Sequence, residues 1–277
     1  AWGVDVEQRY VPTRFGDTHV MLAGDRKQPP LMLFHGVGDN SAVMWLLNMA
    51  ELSRHFFCIA VDTLGGPGKS LPNEHYNRKE FHQVPWIDDI ADALGLGAFH
   101  LAGVSNGACM AYTYTVRQPQ RVLRTVCLEG GMILNPVKTM VGMLKLVFPE
   151  MLVPTRNNRI RVMMKMKPGS DLFTVHPEVL EHVLLVMKHH RQTAMMAHPM
   201  EAYDRQAGMA VRDKLLFLFG GNMQVGREAF MKVLDDGQFR YQVLEGVGHG
   251  INHERPEAVD RLICRFLLGD GSCGESA

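Results

Sequence analysis

Five short apolar runs, each stopped by a polar residue or a glycine, constrain this chain more than any other feature. Leu31–Phe34 ends at His35-Gly36, Phe56–Val61 at Asp62, Phe99–Val104 at Ser105, Val122–Leu128 at Glu129 and Leu215–Phe219 at Gly220. Short continuous apolar runs read as strands buried on both faces, which points to a mostly parallel sheet covered by helices. Thr18–Gly24 and Phe239–Leu244 read as two further strands. Helical patterns fall between them, at Ser41–Ser53, Phe81–Leu94, Ala108–Arg117, Arg227–Leu234 and Pro256–Leu268. Ser41 is placed to cap the first of these helices, and Pro256 suits the first turn of the last. The alternation predicts a doubly wound α/β fold.

One stretch breaks the alternation. Residues 132–210 hold no convincing strand but several helical segments, such as Pro177–His190, and twelve of the nineteen methionines. That is too long for a loop within a compact domain. The expected organisation is an α/β core over 1–131 and 211–268, a helical insert over 132–210 and a frayed tail over 269–277. With 29 basic and 29 acidic side chains, the chain lacks the basic footprint of a nucleic-acid binder. No apolar run is long enough for a membrane span. Ala1–Tyr10 carries charges and no apolar stretch, so no signal peptide is expected there. Cys58, Cys109, Cys127, Cys264 and Cys273 are odd in number and form no CxxC. They read as reduced thiols of a cytoplasmic protein rather than as disulfides or metal ligands.

The chemistry concentrates at strand ends. Gly103-Val104-Ser105-Asn106-Gly107 matches G-x-S-x-G, directly after a strand and before a helix. A sharp strand-to-helix turn there would lift the Ser105 hydroxyl out of the sheet, with small residues two positions either side relieving the crowding. The helix that follows sets its N-terminal amides under developing negative charge. His35-Gly36-Val37-Gly38 closes an earlier strand, so the Val37 and Asn106 amides are the candidate oxyanion hole. His35 itself reads as a packing or hydrogen-bonding residue. His249, in the Gly246–Gly250 turn between the last strand and the last helix, is the candidate general base. His253, one helical turn on, reads as a helix-surface residue.

These residues resemble the α/β-hydrolase fold superfamily, in particular bacterial carboxylesterases with a helical cap. The resemblance runs from about Tyr10 to Leu268 through HGVGDN, the Asp62–Ser70 turn (DTLGGPGKS), GVSNGA and GHGINHERPE. It implies a mostly parallel central sheet flanked by helices, with the cap inserted between two late strands. It also implies a serine–acid–histidine triad, with no cofactor and no metal. Asp62 is a structural turn residue in that family.

The acid is where the chain departs from its pattern. The family usually carries a carboxylate in a G-E-x-D-like turn after the strand before last, whereas Leu215–Phe219 is followed by Gly220-Gly221-Asn222-Met223-Gln224. Met223 falls where the acid should stand, and a thioether cannot stabilise an imidazolium. Three readings are open. Glu129, at the end of the strand beside the elbow strand, takes the role; or the neutral Asn222 orients His249; or a Ser–His dyad works without an acid, at a cost of about 10⁴ in kcat by analogy with serine proteases. Glu129 could equally serve as a carboxylate bonded to neighbouring turn amides.

In the insert, Met132, Met195 and Met196 are among the side chains able to line an adaptable apolar pocket. Arg156, Arg159, Arg161, Lys165 and Lys167 form a basic run that could attract an anionic group or membrane, and that reads first as a solvated helix face. The expectation is a serine hydrolase of small, apolar carboxylic esters or related acyl substrates, acting through Ser105, His249 and Glu129 and able to form a homodimer. The alternative is a non-hydrolytic member of the same fold: an acyltransferase, a cyclase or lyase, or a ligand-binding pseudoenzyme.

Overall fold

The computed structural model describes residues 2–166, 171–222 and 227–269. An antiparallel hairpin opens the chain, β1 (Glu7–Thr13) and β2 (Gly16–Ala23). Next come β3 (Pro30–Phe34), α1 (Ser41–Met44), α2 (Met49–His55), β4 (Phe57–Val61), the short β5 (Leu71–Pro72) and α3 (Gln83–Ala93). The elbow region is β6 (Phe99–Val104), α4 (Asn106–Arg117) and β7 (Val122–Leu128). The cap helices α5 (Pro136–Val147), α6 (Arg156–Met166), α7 (Leu172–Val175), α8 (Pro177–His189) and α9 (Arg205–Ala210) lie between β7 and β8 (Leu215–Gly220). The chain closes with α10 (Arg227–Asp236), β9 (Arg240–Leu244), α11 (Ile251–Glu254) and α12 (Pro256–Leu268).

The strands form one sheet in the order β1-β2-β4-β3-β6-β7-β8-β9, with β5 beside β2. From β4 to β9 every pairing is parallel; β2 meets β4 antiparallel. Alternation along β3 shows why these runs must be covered on both sides. Leu31 and Leu33 enter one core with α2 and α12, while Met32 and Phe34 enter the other with α3 and α4. All the carboxyl ends of the parallel strands therefore open on the same edge, where a doubly wound sheet presents its ligand site.

Two local expectations are corrected. The predicted Ser41–Ser53 helix is broken into α1 and α2, and its cap is not Ser41. Asn40 caps α1 by accepting the Val43 N–H at 3.2 Å, while Ser41 Oγ donates to the Val61 carbonyl at 2.6 Å. His253 is buried, not on a helix surface: its Nε2 lies 3.0 and 2.9 Å from the Val43 and Met44 carbonyls. Apolar periodicity misplaces such a ring because α11 is only four residues long and lies against α1. Met223, Gln224, Lys167, Cys273, the tail beyond Gly269 and the Met196 side chain lie outside what the structure describes.

Candidate active site

Ser105 sits between β6 and α4 with φ 56° and ψ −115°, a conformation an L-residue adopts only under constraint. Its N–H donates to the Leu128 carbonyl at 2.8 Å, which pins the elbow to β7. The two flanking glycines are sterically required. A Cβ on Gly103 would run into the Gly107 carbonyl, and one on Gly107 would approach the His35 carbonyl to 2.7 Å. α4 then starts at Asn106, so the positive end of its dipole lies at Ser105.

The His35–Asn40 loop is built against this elbow. A Cβ on Gly36 would come within 3.4 Å of Ser105 Cβ. His35 is buried and fixed in one tautomer: Nδ1–H donates to the Gly36 carbonyl at 2.8 Å, and Nε2 accepts the Thr63 N–H at 2.9 Å. That makes it a brace for the loop, as its sequence context suggested. Among the described residues, neither the Val37 N–H nor the Asn106 N–H has a protein acceptor. An oxyanion requires two such N–H donors without a competing protein acceptor.

Glu129 ends β7 as Ser105 ends β6, and it too has a positive φ, 55°. Its N–H donates to the Leu218 carbonyl at 2.9 Å, and its Oε1 accepts the Gly220 N–H. The other oxygen, Oε2, is buried without a hydrogen-bond donor and faces His249 Nδ1 at 3.5 Å. That separation is ion-pair contact rather than a formed hydrogen bond. Both readings of Glu129 thus have a physical counterpart, one on each oxygen. Gly220 makes the convergence sterically feasible, since a Cβ there would strike the Gly248 carbonyl in the histidine turn. Asn222 is exposed and donates its backbone N–H to Val247 at 2.9 Å; its side chain makes no hydrogen bond to His249.

His249 is 27% exposed on its side chain, so its ring reaches the site edge. No hydrogen bond joins it to Ser105 Oγ; such contacts are commonly long before substrate binds. Sequence reasoning passed over the groups that hold this turn. The His249 N–H donates to the Met166 carbonyl on the last turn of α6 at 3.1 Å, and the Gly248 N–H donates to Glu254 Oε2 at 3.2 Å. It also missed His182 of α8, whose Nε2 lies 3.3 Å from Asn40 Nδ2 and 3.6 Å from Asp39 Oδ1. Both cap contacts involve backbone or long-range pairs that leave no local pattern.

Asp62 carries the structural role expected of it. Burial opposes its charge, yet hydrogen bonds from His19 and from the Lys69 and Ser41 amides outweigh that and hold the carboxyl below its usual range. Of the cap's basic run, Arg156 pairs with Glu181 and Lys165 with Glu150. Among the described residues, no cluster of histidine, cysteine and carboxylate side chains could hold a metal ion, and no helix is long and apolar enough to cross a membrane.

A family model described as alpha/beta hydrolase fold matches residues 29–209. The carboxylesterase YbfK of Bacillus subtilis is 29% identical over 97% of this chain and 90% of its own length. The crystal structure of that carboxylesterase, also called CesB, superposes with a TM-score of 0.79 at 26% identity, covering 97% of this chain and 94% of the other. The naproxen esterase of the same organism shares the fold, with a TM-score of 0.78 at 24% identity over 96% of this chain and 92% of its own.

Proposed function

Since the chain belongs to the α/β-hydrolase fold family, we propose that it is a serine carboxylesterase whose triad is Ser105, His249 and Glu129. Similarity to carboxylesterase YbfK supports ester hydrolysis. The observation that carries the triad is the buried Glu129 Oε2, free of other donors and 3.5 Å from His249 Nδ1. A buried carboxylate with one oxygen unsatisfied is costly unless it meets a cation, and an imidazolium on His249 is that cation.

The reaction then runs as acyl transfer in two halves. Ser105 Oγ attacks the ester carbonyl while His249 Nε2 takes its proton, and the carbonyl oxygen becomes an oxyanion held by the Val37 and Asn106 amides. Collapse breaks the bond to the alkoxide, which leaves with the proton from His249 as the alcohol. Water repeats the sequence on the acyl-enzyme: His249 accepts its proton, hydroxide attacks, and Ser105 departs reprotonated with release of the acid. Glu129 keeps Nδ1 protonated and stabilises the imidazolium in both halves. The division into a core over 1–131 and 211–268 and a cap over 132–210 sets the substrate between α6, α8 and the strand ends.

The test is hydrolysis of a short p-nitrophenyl ester together with fluorophosphonate labelling. Wild type is expected to turn over and to label at Ser105, and Ser105→Ala to do neither. Undiminished turnover in Ser105→Ala overturns the assignment. Labelling of wild type without hydrolysis favours acyl transfer to another acceptor.

A further inference from the structure

We propose that the outer face of α5 docks on an anionic lipid surface. The inference goes beyond the esterase reading and does not depend on it. Val137, Met140, Val141, Leu144 and Phe148 recur at helical spacing and form a stripe about 100° wide. A stripe of that pattern ordinarily faces a core, but α5 has no buried residue. Val137 is 73% exposed, Leu144 52% and Phe148 48%, and Leu152 and Val153 in the turn that follows are exposed as well. Contiguous exposed apolar surface of this kind marks an interaction site.

Charge chooses the occupant. Residues 136–166 carry six cations, Lys138, Lys145, Arg156, Arg159, Arg161 and Lys165, against the single carboxylate Glu150, in a chain whose net charge is zero. Lys138 and Lys145 fall on one flank of the stripe, two helical turns apart, exposed and without a carboxylate partner among the described residues. Arg156 is neutralised by Glu181 and Lys165 by Glu150, whereas the two flank lysines sit on the same helix as the apolar stripe with no such pair among the described residues. A second copy docked through the same face would set this cationic segment against itself, since a two-fold interface repeats each patch opposite its twin. An apolar stripe with lysines along its border matches the interface of an anionic bilayer, where acyl chains accept the stripe and headgroups accept the lysines.

Co-sedimentation of the full chain with vesicles tests this. Vesicles of phosphatidylcholine with about one-third phosphatidylglycerol are expected to bind it, phosphatidylcholine alone much less, and added salt to release it. Each flank lysine is worth about fivefold in affinity at low salt, so Lys138→Ala/Lys145→Ala is expected to bind about 25-fold more weakly. Val141→Asp/Leu144→Asp is expected to lose at least about tenfold, with the wild-type melting temperature kept because both positions are exposed. Equal binding to neutral and anionic vesicles, no binding to either, or binding unchanged in both variants overturns the proposal. So does a dimer that Val141→Asp/Leu144→Asp splits while vesicle binding is absent, which would assign the face to a second copy.

Discussion

His182 of the cap faces Asp39 of the His35–Asn40 loop, Nε2 to Oδ1 at 3.6 Å. The same nitrogen lies 3.3 Å from Asn40 Nδ2, close enough to accept a hydrogen bond from the Asn40 amide. Val37 stands two residues before Asp39 on this loop, so the contact links a cap helix to the proposed oxyanion donor. His182→Ala is expected to lower kcat about fivefold, one ordinary hydrogen bond's worth, with less change in KM. His182→Gln, which offers a polar atom near the same place, should recover most of it. Steady-state kinetics on a p-nitrophenyl ester read both numbers; a KM effect alone would make His182 a substrate contact instead.

Glu129→Gln separates charge from shape. A glutamine oxygen can still accept the Gly220 N–H that Glu129 Oε1 accepts, so the melting temperature should change little. The imidazolium of His249 loses its counter-charge, and kcat is expected to fall about 10³–10⁴-fold with KM nearly constant. A kcat within tenfold of wild type would favour the dyad.

Gly107→Ala tests the elbow's sterics. The new Cβ would meet the carbonyl oxygens of Phe34 and His35, and backbone there has no room to yield. A destabilisation of about 3 kcal/mol or more is expected, or roughly 6–12 °C in Tm by thermal melting. An unshifted Tm would mean the turn relaxes without cost.

Acid should loosen the cap's seat. Burial pushes His198 down to about 4, only partly offset by its bond to the Leu64 carbonyl, and burial pushes His100 down to about 4 as well. Above pH 6.5 neither state carries these protons. Below it the unfolded chain takes them up and the folded chain does not, so stability falls between pH 6.5 and 4, by up to roughly 3 kcal/mol for each ring. Urea midpoints at a series of pH values measure the slope. His198→Gln, which can still donate to Leu64 and accept from Gln83, should roughly halve it, leaving the part that His100 contributes.

What could be read in advance was what local sterics dictate. Ser105 was legible because a strand-to-helix turn of that sharpness needs small residues at 103 and 107, whatever surrounds it. Glu129 entered as a candidate only through a gap in the family's pattern at Met223, and its two contacts needed the Gly220 amide and the His249 ring in place together. His182 and Met166 were not legible, because their partners lie far off in the chain and one of them is a carbonyl that any residue would supply. His253 misled because a helix of one turn has too few positions to show a face.

The two ends of the cap are held very differently. At its returning end Tyr76 bonds the Ala194 carbonyl at 2.9 Å, and His198 is buried among Phe81, Trp86 and Gln83. On its departing side Met132 is buried in the core, but α5 itself commits no side chain to it. In mechanical terms α5 is the loose panel of the cap: displacing it pulls no buried side chain out of place, whereas displacing His198 would tear open an aromatic nest.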